Sequence, residues 1–412
     1  MKTQFSQENV IVAIDVGTTK ICVLVAQQTS NGQLNIIGIG KAPSLGLARG
    51  IVVDIAPAVQ SIKTALKEAE LMAGCTIESA YIGISGSHIQ SLNSHGMVPI
   101  KHGEVREADI ESVIAAAKAI PIPEGQQILH ILPQHYTIDS GHRIQDPMGM
   151  HGVRLEVQVH IITGGVSSVQ NLVSCCEMAG IKVRDIILEP LASADAVLSE
   201  DECTLGVAML DIGGGTSDFA LYQHGSIRHT KIFPIAGNLF TNDIAVCIRT
   251  TIKEAERIKK QYGISHSGLL VHDDVIEIDT VHGEHKQIIT LSQLISVIEP
   301  RAQELFGLIR DEINTYHLAT FAHTGLVLTG GGSLLLGMQE LAEHMLGLPV
   351  RIGKPKISYT FKEALDSPIY ATGYGLLVHA LKKNKSNPHD HLSGPGINRI
   401  FWRMKSWVMD FF

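Results

Sequence analysis

Cysteine is sparse in this chain and none of it is arranged for chemistry. Cys22, Cys75, Cys175, Cys176, Cys203 and Cys247 are the six cysteines of 412 residues, with no Cys-x-x-Cys spacing. That excludes a zinc ribbon or a redox dithiol on pattern, and the thiols read as reduced and buried in a cytosolic protein. No uninterrupted run of about 18 apolar residues occurs, so no segment reads as a membrane-spanning helix. Met1 to Asn9 is polar and leads straight into a strand, which reads as no secretion signal. Positive charge is also short: 33 Lys and Arg against 41 Asp and Glu leave a net charge of −8. An acidic balance argues against general nucleic-acid binding. Histidine is plentiful at 20 residues but scattered. His389-Asp390-His391 lies in a polar Pro/Gly stretch and reads as solvated linker rather than a metal site.

What is present is a device used twice. Ile14-Asp15-Val16-Gly17-Thr18-Thr19-Lys20 and Leu210-Asp211-Ile212-Gly213-Gly214-Gly215-Thr216 each sit between two hydrophobic strands, 196 residues apart. Each reads as a strand, a tight turn and a returning strand. Glycine lets a ligand approach the backbone closely, and successive turn N–H groups form an anion-binding concavity. Thr18, Thr19 and Thr216 add hydroxyl donors, and Lys20 adds positive charge. Asp15 and Asp211 end their strands where a hydrated Mg2+ would sit, held through water. Two such turns facing each other can hold the phosphates of one nucleotide from both sides. A third turn, Gly330-Gly331-Gly332-Ser333, follows the strand Leu326 to Thr329 and precedes an expected helix from Leu334 to Leu346, another anion-friendly arrangement.

The length admits two or more domains. A three-strand meander followed by a helix occurs twice, which predicts two similar α/β lobes around a cleft. The first lobe takes 1–85 and 161–195, and the second takes 196–235 and 302–381. Two insertions interrupt them, at 86–160 and 236–301. The second is expected to hold one long helix from Asn242 to Tyr262, whose Glu256 and Lys259 become candidates to flank a ribose or adenine.

The end of the chain differs in character. Residues 382–412 carry six Lys and Arg against two Asp, so the tail is +4 and the body −12. Residues 382–396 read as a flexible tether. In 397–412, Ile397, Ile400, Phe401, Met404, Trp407, Val408, Phe411 and Phe412 fall within one helical arc of about 140°. Arg399 and Arg403 lie opposite, with Lys405 at the seam. A tethered, Trp/Phe-rich face with basic flanks matches an interfacial helix on anionic membrane lipid.

The order of the three glycine turns resembles the actin/Hsp70/sugar-kinase ATPase superfamily, two RNase H-like lobes around a nucleotide cleft. Gly96-Met97-Val98-Pro99-Ile100, the Glu254 to Lys259 stretch, Ile298-Glu299-Pro300-Arg301 and the amphipathic tail narrow the resemblance. Over essentially all 412 residues the chain is similar to the FtsA family of actin-like bacterial cell-division proteins. The resemblance implies ATP and Mg2+ in the cleft and assembly of the chain with itself into filaments. It implies binding of the C-terminal peptide of the tubulin-like FtsZ, recruitment of later division proteins, and a place on the cytoplasmic face of the inner membrane at the division site. It also implies Arg301, with Lys286, as the contact for that peptide, where a guanidinium suits a carboxylate. Glu189, near the connection between the lobes, is the candidate for orienting an attacking water, in a chain of weak or no ATPase activity. A sugar kinase or phosphoanhydride hydrolase, or an actin-like assembly protein of a pilus or cell-shape system, are the alternatives.

Overall fold

The computed structural model describes residues 10–386, apart from 30, 282–285, 319–321 and 358–360. The tail residues from Ile397 to Phe412 therefore lie outside the described residues. The chain opens with β1 (Val10–Val16), β2 (Lys20–Gln28) and β3 (Leu34–Pro43), an antiparallel meander rich in Val and Ile. A short hairpin, β4 (Leu47–Ala48) and β5 (Ile51–Val52), leads into α1 (Ile55–Ala73), which ends at Gly74 in the left-handed conformation that stops a helix. β6 (Ser79–Ile84) then pairs parallel with β1.

The first insertion is its own small layer: β7 (Gln90–Pro99), α2 (Glu107–Lys118), β8 (Gln126–Ile138) and β9 (Arg154–Gly165). Its sheet has the order β7-β9-β8, and α2 covers one face with Val113 and Ala117 against Leu155 and Val157. β9 stays paired with β7 to Thr163 and with β8 to Gly165, across residues 161–164 where the first lobe was expected to resume. The lobe resumes at α3 (Val166–Met178), β10 (Lys182–Leu188) and α4 (Glu189–Val197).

The second lobe begins with α5 (Glu200–Leu205) and a second meander, β11 (Val207–Ile212), β12 (Ser217–Gln223) and β13 (Ser226–Phe233). It continues through α6 (Gly237–Ile248), α7 (Ile252–Tyr262), β14 (Val275–Asp279), β15 (Lys286–Thr290) and α8 (Leu291–Thr315). It ends with β16 (Leu326–Thr329), α9 (Met338–Leu346), β17 (Val350–Ile352), α10 (Lys362–Leu365) and α11 (Ala371–Ser386). The two large sheets have orders β10-β6-β1-β2-β3 and β13-β12-β11-β16-β17. In each the opening strand is central, antiparallel to the next strand and parallel to a later one. The duplication expected from the meanders is present strand for strand.

Between the sheets lies one apolar core. Ala13 and Leu24 of the first sheet share it with Met209, Ala220 and Val327 of the second. Two helices fill the space, and they cross. α4 follows the first sheet's last strand but packs on β11, β12 and β16 as well as β6 and β10. α11 follows the second sheet's last strand but packs on β1, β2 and β6. The expectation placed 302–381 wholly in the second lobe; by packing, α11 belongs to the first. α4 and α11 approach closely because the contact residue on α11 is glycine: a Cβ on Gly375 would stand 1.8 Å from the Ala192 carbonyl oxygen.

Three further expectations need correction. The long helix from Asn242 to Tyr262 is two helices, because Arg249 takes a left-handed φ of 60° and Thr251 caps a new start by accepting from the Glu254 amide at 3.2 Å. The helix expected from Leu334 begins at Met338, because Gly331–Leu334 forms a 3-10 turn and Gly337 has φ 89°. The first residues of the stretch expected as a tether, from 382, are helical, since α11 runs to Ser386. Lys382 pairs with Asp195 at 2.5 Å and Lys383 with Asp185, so two charges counted with the tail are held on the body.

Candidate functional site

The two opening hairpins have the same internal geometry. Gly17 N–H donates to the Lys20 carbonyl at 3.1 Å, and Gly213 N–H donates to the Thr216 carbonyl at 2.9 Å. Those two amides are therefore spent on closing their turns. The amides of Thr18, Thr19, Gly214 and Gly215 have no hydrogen-bond acceptor among the described residues. The turns face each other at contact distance: a Cβ on Gly214 would meet Thr19 at 2.3 Å, and one on Gly215 would meet the Thr18 hydroxyl at 2.3 Å. Bare backbone is what lets them oppose so closely. Thr18 is steadied by the β4–β5 hairpin, whose Gly50 N–H donates to Thr18 Oγ1 at 3.0 Å.

Around the turns is a cleft of about 850 Å3, lined by Asp15, Gly17, Thr18, Thr19 and Lys20 from one side. Asp211, Gly213, Gly214, Gly215, Thr216, Glu256, Lys259, Gly330, Gly331 and Gly332 line it from the other, and Glu189 lies at its floor. This size falls within the range of cofactor pockets. Ile264, Leu335, Leu336 and Ile369 add apolar lining. Of the expected cofactor-binding residues, Ser333 is the exception. It is buried, and its hydroxyl donates to the Gly330 carbonyl at 2.7 Å, closing its own turn. Lys20 Nζ donates to the Ile369 carbonyl at 2.7 Å, above the Tyr370 ring. Lys259 Nζ donates to the Gly237 carbonyl at 2.9 Å and to Thr241 Oγ1 at 2.8 Å, and pairs with Glu256 at 2.6 Å.

Four acids share the floor of this cleft. Burial pushes the Asp15 carboxyl up to about 6, opposed by Lys20 and reinforced by Asp211. Burial raises Asp211, against hydrogen bonds from Ser193 at 2.5 Å and Thr372 at 3.1 Å. Asp218 is pushed up to about 8 by burial and by Asp211, despite a 2.8 Å bond from Ser85. Glu189 is held well above the usual carboxylate range by burial and then by Asp15, Asp218 and Asp211. Asp218, Ser85, Ser193 and Thr372 were not among the expected site residues. Register gives the signal for Asp218: Asp211 stands directly across the hairpin from it, where Asp15 stands across from Cys22. No side chain donates a hydrogen bond to Asp15 among the described residues. Among them, also, no group of three or more His, Cys, Asp or Glu side chains is arranged to chelate a metal.

The expected partner-binding residues lie away from the cleft. Arg301, on α8, donates from Nε and Nη2 to Asp243 on α6 at 2.6 and 3.0 Å, and pairs also with Glu304. Lys286, on β15, is exposed and pairs with Glu277 at 2.5 Å.

The profile described as Cell division protein FtsA matches residues 208–375, and that described as SHS2 domain inserted in FTSA matches 86–163. Across 404 residues the chain is 44% identical to Cell division protein FtsA of Pseudomonas aeruginosa, covering 97% of each. The chain belongs to the FtsA family of cell division proteins. It is also 41% identical to the Neisseria meningitidis FtsA over 412 residues (98% of this chain, 99% of the relative) and 37% identical to that of Escherichia coli K12 over 416 (98% and 96%). Solved structures place the fold of this FtsA-family chain. It superposes on a PilM-PilN type IV pilus biogenesis complex with TM-score 0.66 at 18% identity, covering 90% of this chain and 98% of the other. It superposes on Spiroplasma citri MreB5 bound to AMPPNP with TM-score 0.56 at 17% identity, covering 93% and 100%. The fold is that of the actin-like ATPases, with two sheet lobes.

Proposed function

We propose that this FtsA-family chain is an ATP-binding scaffold of cell division that assembles with itself and holds the FtsZ ring to the membrane. The observation that carries the nucleotide reading is the pair of glycine turns opposed at contact distance over a buried acidic floor. Unspent amides on both turns suit phosphate oxygens. Lys20 adds a cation, and the apolar lining from Ile264, Leu335 and Leu336 suits a base.

The acids fit Mg2+. Burial holds all four carboxyls up, Asp211 further raises Asp15, Asp218 and Glu189, and among the described residues Asp15 and Glu189 receive no hydrogen bond, a charge balance that a divalent cation would relieve. Asp15 and Asp211 would hold it through water, the arrangement expected of an ion that keeps its hydration shell. The ion would neutralise phosphate charge in the bound state. Glu189 is the residue for orienting a water in any hydrolysis, and Glu256 and Lys259 flank the sugar or base. Unchanged hydrolysis in Glu189→Gln would remove that role.

Arg301 and Lys286 are the candidates for the FtsZ C-terminal peptide, whose carboxylates would compete with Asp243 and Glu277. The tail face from Ile397 to Phe412, with Arg399, Arg403 and Lys405, is the candidate membrane contact. Co-sedimentation with anionic liposomes tests it: the full chain pellets and a chain ending at Gly394 stays in solution. Equal pelleting would remove the tail assignment. Pull-down by FtsZ with and without its C-terminal peptide tests the adaptor role.

A further inference from the structure

The inserted subdomain is joined by the chain to the first lobe, yet its sheet is bonded to the second. β13 is an outer strand of the second sheet. Its carbonyls take donors from the insertion: Gln134 Nε2 to Ile227 O at 2.9 Å and Ser91 Oγ to Thr230 O at 2.8 Å. In the turn before it, Gln145 Nε2 donates to His224 O at 2.8 Å. Ser226 Oγ donates in the other direction, to Gln134 O at 2.9 Å. Buried His160 lies 2.9 Å from Thr230 Oγ1.

A second point of contact lies at the insertion's root. Ser85, at the end of the first-lobe strand that leads into the insertion, donates to Asp218 at 2.8 Å and lies 3.4 Å from Thr216. Those residues belong to the second glycine turn and the start of β12, and β12 is paired along its length with β13. The turn is therefore continuous with both strands of this hairpin.

The seam also carries a built-in penalty. Arg228 Nε and Nη2 are buried without an acceptor, and its nearest side-chain partner is His135, at 3.4 Å. Arg143 adds like charge, and no carboxylate is among the groups acting on Arg228 or His135. A half-buried guanidinium with two unpaired nitrogens and no carboxylate partner offsets part of what the hydrogen bonds contribute.

We infer that the seam between β13 and the inserted subdomain opens and closes together with the cleft, so that the insertion reads the state of the turns. The sense of the switch rests on the nucleotide reading above; the mechanical link does not. Hydrogen exchange on the full chain tests both. In Ser91→Ala/Gln134→Ala without nucleotide, exchange should rise roughly fivefold in 226–231 and also in 213–218, which the substitutions do not touch. Val113→Ala, which loosens the insertion's own core, should leave 213–218 unchanged. Faster exchange confined to the seam, or equal effects of the two variants on 213–218, would overturn the link. Adding Mg2+ and ATP to the wild-type chain should protect the turns and the seam in parallel. Protected turns with an indifferent seam would overturn the inference, whereas indifference of both would count against nucleotide binding and leave the first arm to decide.

Discussion

The same substitution at two helical glycines should act in opposite directions. Gly307 lies in α8, where an added Cβ would meet nothing within 4 Å. Gly307→Ala should stabilise by about 0.5–1 kcal/mol, the helix preference of alanine over glycine. Gly375→Ala gains the same preference but drives a methyl to 1.8 Å from the Ala192 carbonyl oxygen and 2.3 Å from its carbon. Restoring ordinary contact needs a displacement of about 1.5 Å between two buried helices, and overpacking of this kind costs about 1–3 kcal/mol or more. The net effect should be a loss of about 1–2 kcal/mol. For a chain this long, an unfolding entropy of about 2.1 cal/mol/K per residue converts 1 kcal/mol to roughly 1 °C. Calorimetry should place Gly307→Ala about 1 °C above the wild type and Gly375→Ala about 1–3 °C below it. Because α4 and α11 hold the lobes together, Gly375→Ala should also weaken nucleotide binding by titration, while Gly307→Ala should not. Equal melting temperatures for the two variants would refute the close-approach argument.

Other consequences follow from the cleft and the helix caps. Burial, reinforced by Asp211, pushes the Asp218 carboxyl from the ordinary aspartate value of about 4 up to about 8 in the folded chain, so the ligand-free chain should lose stability as pH rises from about 4 to about 8 and level off above. The slope is about 1.4 kcal/mol per pH unit, an upper bound for a coupled group. Asp218→Asn should flatten this melting profile, and parallel profiles would refute the assignment. Thr251→Ala removes the cap of α7 and should cost about 1 kcal/mol in urea unfolding, with faster hydrogen exchange in 252–256. Asp243→Asn makes one of Arg301's two carboxylate partners neutral and leaves Glu304 in place. It should tighten binding of the FtsZ peptide severalfold by fluorescence anisotropy, and weaker binding would show that Asp243 orients the arginine.

Much of this was legible in the sequence because the signals were local. Asp15-Val-Gly-Thr and Asp211-Ile-Gly-Gly-Gly-Thr carry their turns within a few residues, and the meanders around them alternate cleanly enough to reveal the duplicated lobes. The break at Arg249 was legible too, in Thr251-Ile-Lys-Glu254, a helix-start pattern. Ser85, Ser193 and Thr372 were not legible: each reaches the cleft floor from a different element, and nothing near them in sequence marks it. α11 was assigned to the wrong lobe for the same reason. Chain order places it after β17, and only its packing on β1, β2 and β6 shows where it settles.

The exchange of α4 and α11 between the lobes also bears on synthesis. A ribosome delivers β1, β2 and β6 long before it delivers α11, the helix that covers them. Until residue 386 has emerged, the inner face of the first sheet, with Ala13 and Leu24, lacks its cover. Neither half of the gene product can finish folding alone, so early protease sensitivity of nascent chains should persist past the end of the first lobe and vanish only near full length.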